Sequence, residues 1–150
     1  MPRPFTAEQI RDEFAPGTVI ELTRRTPAGE TRQRWTVVAA DVGGVSIEYA
    51  DLDATGHVDG TPKIERSTWV ELRDHASFPA DRSTREETRR DTALGDLSGW
   101  LYTVRDAAAG TVSELFFAAS LPGPPVEMRV TKDGKTVFEM TQRVHRKAPS

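Results

Sequence analysis

The sequence predicts a mainly β protein: a curved antiparallel meander sheet or barrel of about eight strands with one short N-terminal helix, in a single domain over residues 1–150. Three observations carry this prediction. Between Gly99 and Val144, Trp100, Tyr102 and Val104 alternate with Leu101, Thr103 and Arg105, and Val126, Met128 and Val130 alternate with Glu127, Arg129 and Thr131. Alternation at period two marks half-buried antiparallel strands. Asp133-Gly134 between two such runs is a hairpin signal. The corner Leu121-Pro122-Gly123-Pro124-Pro125 is stiff, and its prolines fix a rigid crossing between strands.

The elements run in this order. Thr6 is a helix N-cap with Gln9 at the capping-box position, Ile10 and Phe14 share one face, and Pro16-Gly17 ends the helix. Thr18 to Arg24 is a strand with Ile20 and Leu22 on one face. Pro27-Ala28-Gly29-Glu30 turns the chain into a second strand, Arg32 to Ala40, which carries Trp35, Val37 and Val38. Asp41-Val42-Gly43-Gly44 leads to a third, where Val45, Ile47 and Tyr49 alternate with Ser46 and Glu48. Asp51 to Pro62 is a polar loop. Lys63 to Arg73 reads as a fourth strand containing Trp69, Val70 and Leu72, and His75 to Arg82 as a connection. Ser83 to Gly95 offers two readings. Ser83 with Glu86 makes a capping box, but Arg85 to Asp91 has no apolar stripe, and a helix polar all round is rarely stable. An exposed strand is therefore expected, paired through Gly95–Gly99 to the Trp100 strand. Val112 to Ala119 is the densest apolar run, with Leu115, Phe116 and Phe117 in succession. The corner, the Val126 strand and a last strand from Lys135 to Val144 complete the chain. Residues 1–5 and 146–150 are expected to fray.

Composition excludes several functions. With 37% hydrophobic residues, 29% charged residues and a net charge of −3, the chain has a core but no basic stripe, so no nucleic-acid partner is expected. The absence of cysteine removes disulfides, thiolate nucleophiles and zinc–thiolate sites. No apolar run approaches the roughly 20 residues of a membrane-spanning helix. The N-terminus shows no apolar signal region, so a cytoplasmic location is expected. No Gly-x-Ser-x-Gly, P-loop, Gly-x-Gly-x-x-Gly or His-Glu-x-x-His is present, and no cofactor is expected.

Four constellations are candidates for chemistry. Asp51, Asp53, Thr55, Gly56 and Asp59 sit where a calcium loop has oxygen ligands and its glycine, but Pro62 stands at the position of the bidentate Glu and strands flank the segment. A turn without metal is the expectation. Glu71, Arg73 and His75 share a face if the Trp69 strand continues, and a carboxylate, guanidinium and imidazole together suit acid–base work on an anionic substrate. The ordinary reading is a solvent face. Asp81 to Asp91 mixes both signs of charge and reads as a solvated face. The aromatics Trp35, Trp69, Trp100, Tyr102, Phe116 and Phe117 either fill the core or line a concave binding face, with Trp35, Trp69, Trp100 and Tyr102 the candidate ligand-binding set. His57, His75 and His145 are too scattered for a metal site and are expected at the surface.

The order Thr92-x-Leu94-Gly95, then Gly99-Trp100-Leu101-Tyr102-Thr103-Val104, then Phe116-Phe117-Ala118-x-x-Leu121-Pro122-Gly123-Pro124-Pro125-Val126 resembles the late strands of bacterial lipoprotein-carrier-like (LolA-like) half-barrels, over roughly residues 92–144. That resemblance implies a curved antiparallel sheet wrapped on a helix, with an apolar concave face that receives an acyl chain or a partner. Three functional readings are open. The first is a non-enzymatic module that binds an apolar ligand or a protein segment on the concave face. The second is a small barrel enzyme using Glu71, Arg73 and His75. The third is a scaffold subunit that forms a homo-oligomer through its edge strands.

Overall fold

In the computed structural model, which describes residues 1–149, nine antiparallel strands form one curved, open sheet among the described residues. The chain enters through α1 (Ala7–Glu13) and runs through β1 (Val19–Thr26), β2 (Gly29–Ala40), β3 (Gly44–Leu52) and β4 (Lys63–Thr68). After α2 (Trp69–Asp74) come β5 (Ser83–Thr92), β6 (Gly95–Asp106), β7 (Thr111–Ala118), β8 (Glu127–Lys132) and β9 (Lys135–Arg146). The sheet order is β4-β3-β2-β1-β9-β8-β7-β6-β5. The first strand is thus central. The chain meanders outward to β4, crosses by way of α2 to the opposite edge at β5, and meanders back until β9 pairs with β1.

Curvature follows from the core. Six strand spacings separate β3 from β6, about 29 Å in a flat sheet. Yet Val45 and Ile47 of β3 and Tyr102 of β6 belong to one cluster with Ile10, Phe14 and Trp69 of the helices and with Phe5. The sheet bends around the helices to bring them together. The opposite face carries a second cluster of Phe116, Ala118 and Val126 under Leu94, Leu97, Leu101 and Leu121. This explains why Phe116 and Phe117 are both buried: neighbours on a strand point to opposite faces, and β7 is covered on both. Gly99 of β6 lies against the same strand, where an added Cβ would collide with the Phe117 carbonyl oxygen.

The predicted helix forms as read. The Thr6 hydroxyl accepts from Gln9 N, and the Gln9 side chain accepts from Thr6 N. Asp133 and Gly134 both have positive φ, 51° and 79°, as the two-residue β8–β9 turn requires. Ser83–Thr92 is an edge strand rather than a helix.

Several expectations are corrected. The sheet does not close into a barrel, because β4 and β5 each pair on one side only. The strands number nine rather than eight. Trp69 to Arg73 is helical: Thr68 caps α2 by accepting from Glu71 N, which ends β4 at Thr68. The β5–β6 turn lies at Ala93-Leu94, so Gly95 to Gly99 belong to β6. Within residues 1–5, Pro2 and Arg3 are exposed and Pro4 and Phe5 buried. Tyr102 Oη donates to Pro2 O at 2.7 Å, and Arg3 pairs with Asp74. Ala148 N donates to Thr18 Oγ1; of the tail expected to fray, Ser150 lies outside the described residues.

Candidate functional site: an apolar cavity between sheet and helices

Sheet and helices do not meet everywhere. Between them lies a cavity of about 480 Å3, within the range of small-ligand pockets. Its sheet wall comes from seven strands: Leu22 and Arg24 on β1, Trp35 on β2, Ile47 and Tyr49 on β3, Glu65 on β4, Leu115 and Phe117 on β7, Met128 on β8, and Phe138 and Met140 on β9. These side chains share one face because the register sets Ile20 opposite Trp35, Trp35 opposite Tyr49, and Arg24 opposite Met140. The Trp35 ring meets Tyr49 edge to face at 5.2 Å. Ile10 and Phe14 close the cavity from α1, Leu72 from α2, and Gly123, Pro124 and Pro125 from the corner. The titratable groups in this lining are Arg24, Tyr49, Glu65 and His75. Burial first, and the nearby Glu65 charge second, push the Tyr49 phenol above its ordinary value.

A polar network fastens this lining. Gln142 Nε2 donates to Pro124 O at 3.2 Å and to Pro125 O at 2.9 Å. The other side of its amide is the acceptor Oε1, 3.2 Å from His145 Nδ1, while His145 Nε2 lies 3.0 Å from Glu13 Oε2 at the end of α1. Both ring nitrogens thus lie within hydrogen-bond distance of a side-chain oxygen. Lys147 approaches Glu13 from the other side at 3.8 Å. Corner, last strand and helix are thereby held together. Gly123 packs close enough to α1 that an added Cβ would lie 2.8 Å from Phe14 Cζ.

Of the four aromatics named from the sequence as ligand-binding candidates, Trp35 lines the cavity. Trp69 is buried under α2, its Nε1 donating to Asp41 O. Trp100 packs on Phe5, and Tyr102 lies fully buried beneath Phe78. Glu71, Arg73 and His75 do not sit on a strand. Glu71 completes the α2 capping box, Arg73 bonds Asp74, and His75 is the C-cap and alone of the three reaches the cavity. The Asp53 carboxylate is turned onto its own loop, accepting from Thr55 N, Thr55 Oγ1 and His57 N. No group of three or more His, Asp or Glu positioned to hold a metal ion occurs among the described residues. His145, expected at the surface, has 1% of its side chain exposed. Sequence reading missed Leu22, Arg24, Tyr49, Phe138 and Met140 as a set. Each sits at an inward position of its own strand, but only the β1–β9 pairing unites them.

No family model and no curated protein matches the chain. Solved structures do. MucB in complex with MucA(peri) superposes with a TM-score of 0.61 at 11% identity, over 96% of this chain and 55% of that one. MucB alone gives a TM-score of 0.60 at 14% identity, over 95% and 58%. The chain thus spans a little more than half the length of these neighbours. At such identity the likeness shows the fold alone. The superposed fold covers nearly the whole chain, including residues 92–144.

Proposed function

We propose that the protein is a non-enzymatic binding module that holds an apolar ligand in the cavity between the sheet and its helices. The observation that supports this reading is the cavity itself: about 480 Å3, walled by Leu22, Trp35, Ile47, Phe117, Phe138 and Met140, with few polar groups. Packed cores leave few voids larger than a water molecule, so an apolar space of this size is a feature to be filled. Acid–base catalysis lacks a matching arrangement, since Glu71 and Arg73 are engaged outside the cavity. A second reading, a protein partner instead of a small ligand, takes its support from the fold neighbour MucB, whose structure is in complex with MucA(peri).

Intrinsic fluorescence tests the proposal. Titration with long-chain alcohols and acids, each below its micellar concentration, is expected to shift tryptophan emission in the wild type. The signal should largely vanish in Trp35→Phe while a displaced dye still reports binding. Absence of any saturable response to these amphiphiles sinks the small-ligand reading. A synthetic apolar peptide that competes with the dye when amphiphiles do not transfers the cavity to the protein-partner reading.

A further inference from the structure

We infer that the cavity is selective for an amphiphile with one long apolar chain and a carboxylate head, and that Arg24 takes the head. This rests on the binding reading above and adds the chemical class of its ligand. Among the described residues, Arg24 is the only lysine or arginine in the lining. It is half-buried, and the register places Thr31 of β2 and Met140 of β9 on either side of it.

The arginines beside it on the opposite face are already paired, Arg25 with Glu30 and Arg34 with Glu21. Arg24 has no ion pair and no side-chain hydrogen bond to the described residues, in contrast to Arg25 and its neighbours. The acid in the lining, Glu65, belongs to β4, three strands away from β1 in the sheet and so roughly 14 Å distant along it. It sits beside Tyr49 instead.

A guanidinium held against apolar walls gives up hydration, and an anion within reach offsets that loss. The fixed fork of its N–H donors matches the two oxygens of a carboxylate in a bidentate pair. One cation balances one charge. A phosphate monoester head, with about −1.5 to −2 charges at neutral pH, would be left partly uncompensated here. The lining also has the right polarity. On the same face of β1 as Arg24 lies Leu22, and the lining also includes Ile10, Phe14, Phe138 and Met140, so a chain anchored by its head at Arg24 has apolar side chains beside it.

Oleate and oleyl alcohol, identical in chain and different in head, provide the test at neutral pH. In the wild type, oleate is expected to bind about tenfold tighter than the alcohol or better, the scale of a charge-assisted hydrogen-bonded pair. Arg24→Gln should remove that preference and leave alcohol binding within about twofold, and Arg24→Lys should fall between. The comparison of the two ligands on wild-type protein stands even if a variant fails to fold. Equal wild-type affinity for both, or full oleate affinity in Arg24→Gln, overturns the assignment of Arg24 while leaving the cavity as a binding site. Binding of neither overturns the underlying reading as well.

Discussion

His145 shows how one side chain holds three parts of the chain in place. Its ring, 1% exposed, spans from Gln142 to Glu13, and Gln142 in turn grips two consecutive proline carbonyls. Removing one partner of a buried hydrogen bond leaves the other polar group unsatisfied. His145→Ala leaves Glu13 Oε2 and Gln142 Oε1 without this partner and should therefore destabilise by about 1–3 kcal/mol. Urea denaturation measures this, and a loss under about 1 kcal/mol would show the network to be dispensable. Phe116 tests the other face: with 1% exposure beneath Leu97 and Leu101, its truncation to Ala should cost about 3–5 kcal/mol. The burial of Phe116 was legible in the run Leu115-Phe116-Phe117. The burial of His145 was not, because its partners Glu13 and Gln142 are set by tertiary packing and no periodicity signals them.

At the scale of elements, the same local motif gave opposite outcomes. Thr68-x-x-Glu71 and Ser83-x-x-Glu86 are both capping-box patterns, and the first caps α2 while the second lies in edge strand β5. The residues C-terminal to each cap make the difference. Trp69 and Leu72, three apart, give α2 an inward face, and Arg85 to Asp91 offers none. The Thr68–Glu71 box was therefore a legible signal for α2, masked by the alternation of Val70 and Leu72. Turns are pinned by carboxylates whose pKa values are all lowered: Asp41 chiefly by its hydrogen bond from Arg66, Asp53 by the Thr55 hydroxyl, Asp74 by Arg73 and Asp96 by Arg89. A carboxyl whose folded value is depressed stabilises the fold above its ordinary value of 3.8, and that contribution fades as pH falls through the folded value. Asp41→Asn should accordingly be less stable than wild type at neutral pH, with the gap closing as pH falls below the ordinary value of 3.8. A gap that stays constant from neutral to acid would remove Asp41–Arg66 as its cause.

At the scale of the molecule, the decisive feature is the pairing of β1 with β9 in the middle of the sheet. Short hairpins could be read from turn residues, since each joins neighbours in sequence. This pairing joins Val19–Thr26 to Lys135–Arg146, and both strands carry ordinary alternation with nothing that names the partner. The open edges were hidden for the same reason, and so was the cavity, whose wall draws on strands from both ends of the chain. Both edges are blunted by charge, Lys63, Glu65 and Arg66 on β4 and Arg85 to Asp91 on β5. The interior seam has no such protection. A variant ending at Lys132, without β9, should leave Ile20 and Leu22 on a raw strand edge and be recovered as insoluble or aggregated protein. A soluble, β-rich 1–132 fragment by circular dichroism and size exclusion would show that the first half stands alone.

The central seam also sets a timetable for synthesis. β1 leaves the ribosome 109 residues before β9 begins, taking Thr26 to Lys135 as the interval. At about 5–20 residues per second, the nascent chain spends roughly 5–20 s with its first strand unpaired on one side. For that time the half-sheet β1–β4 shows its future cavity wall, Leu22, Trp35 and Ile47, to whatever is nearby. The apolar wall that lines the cavity in the finished protein is therefore the same surface that must be kept from other chains while it is being made.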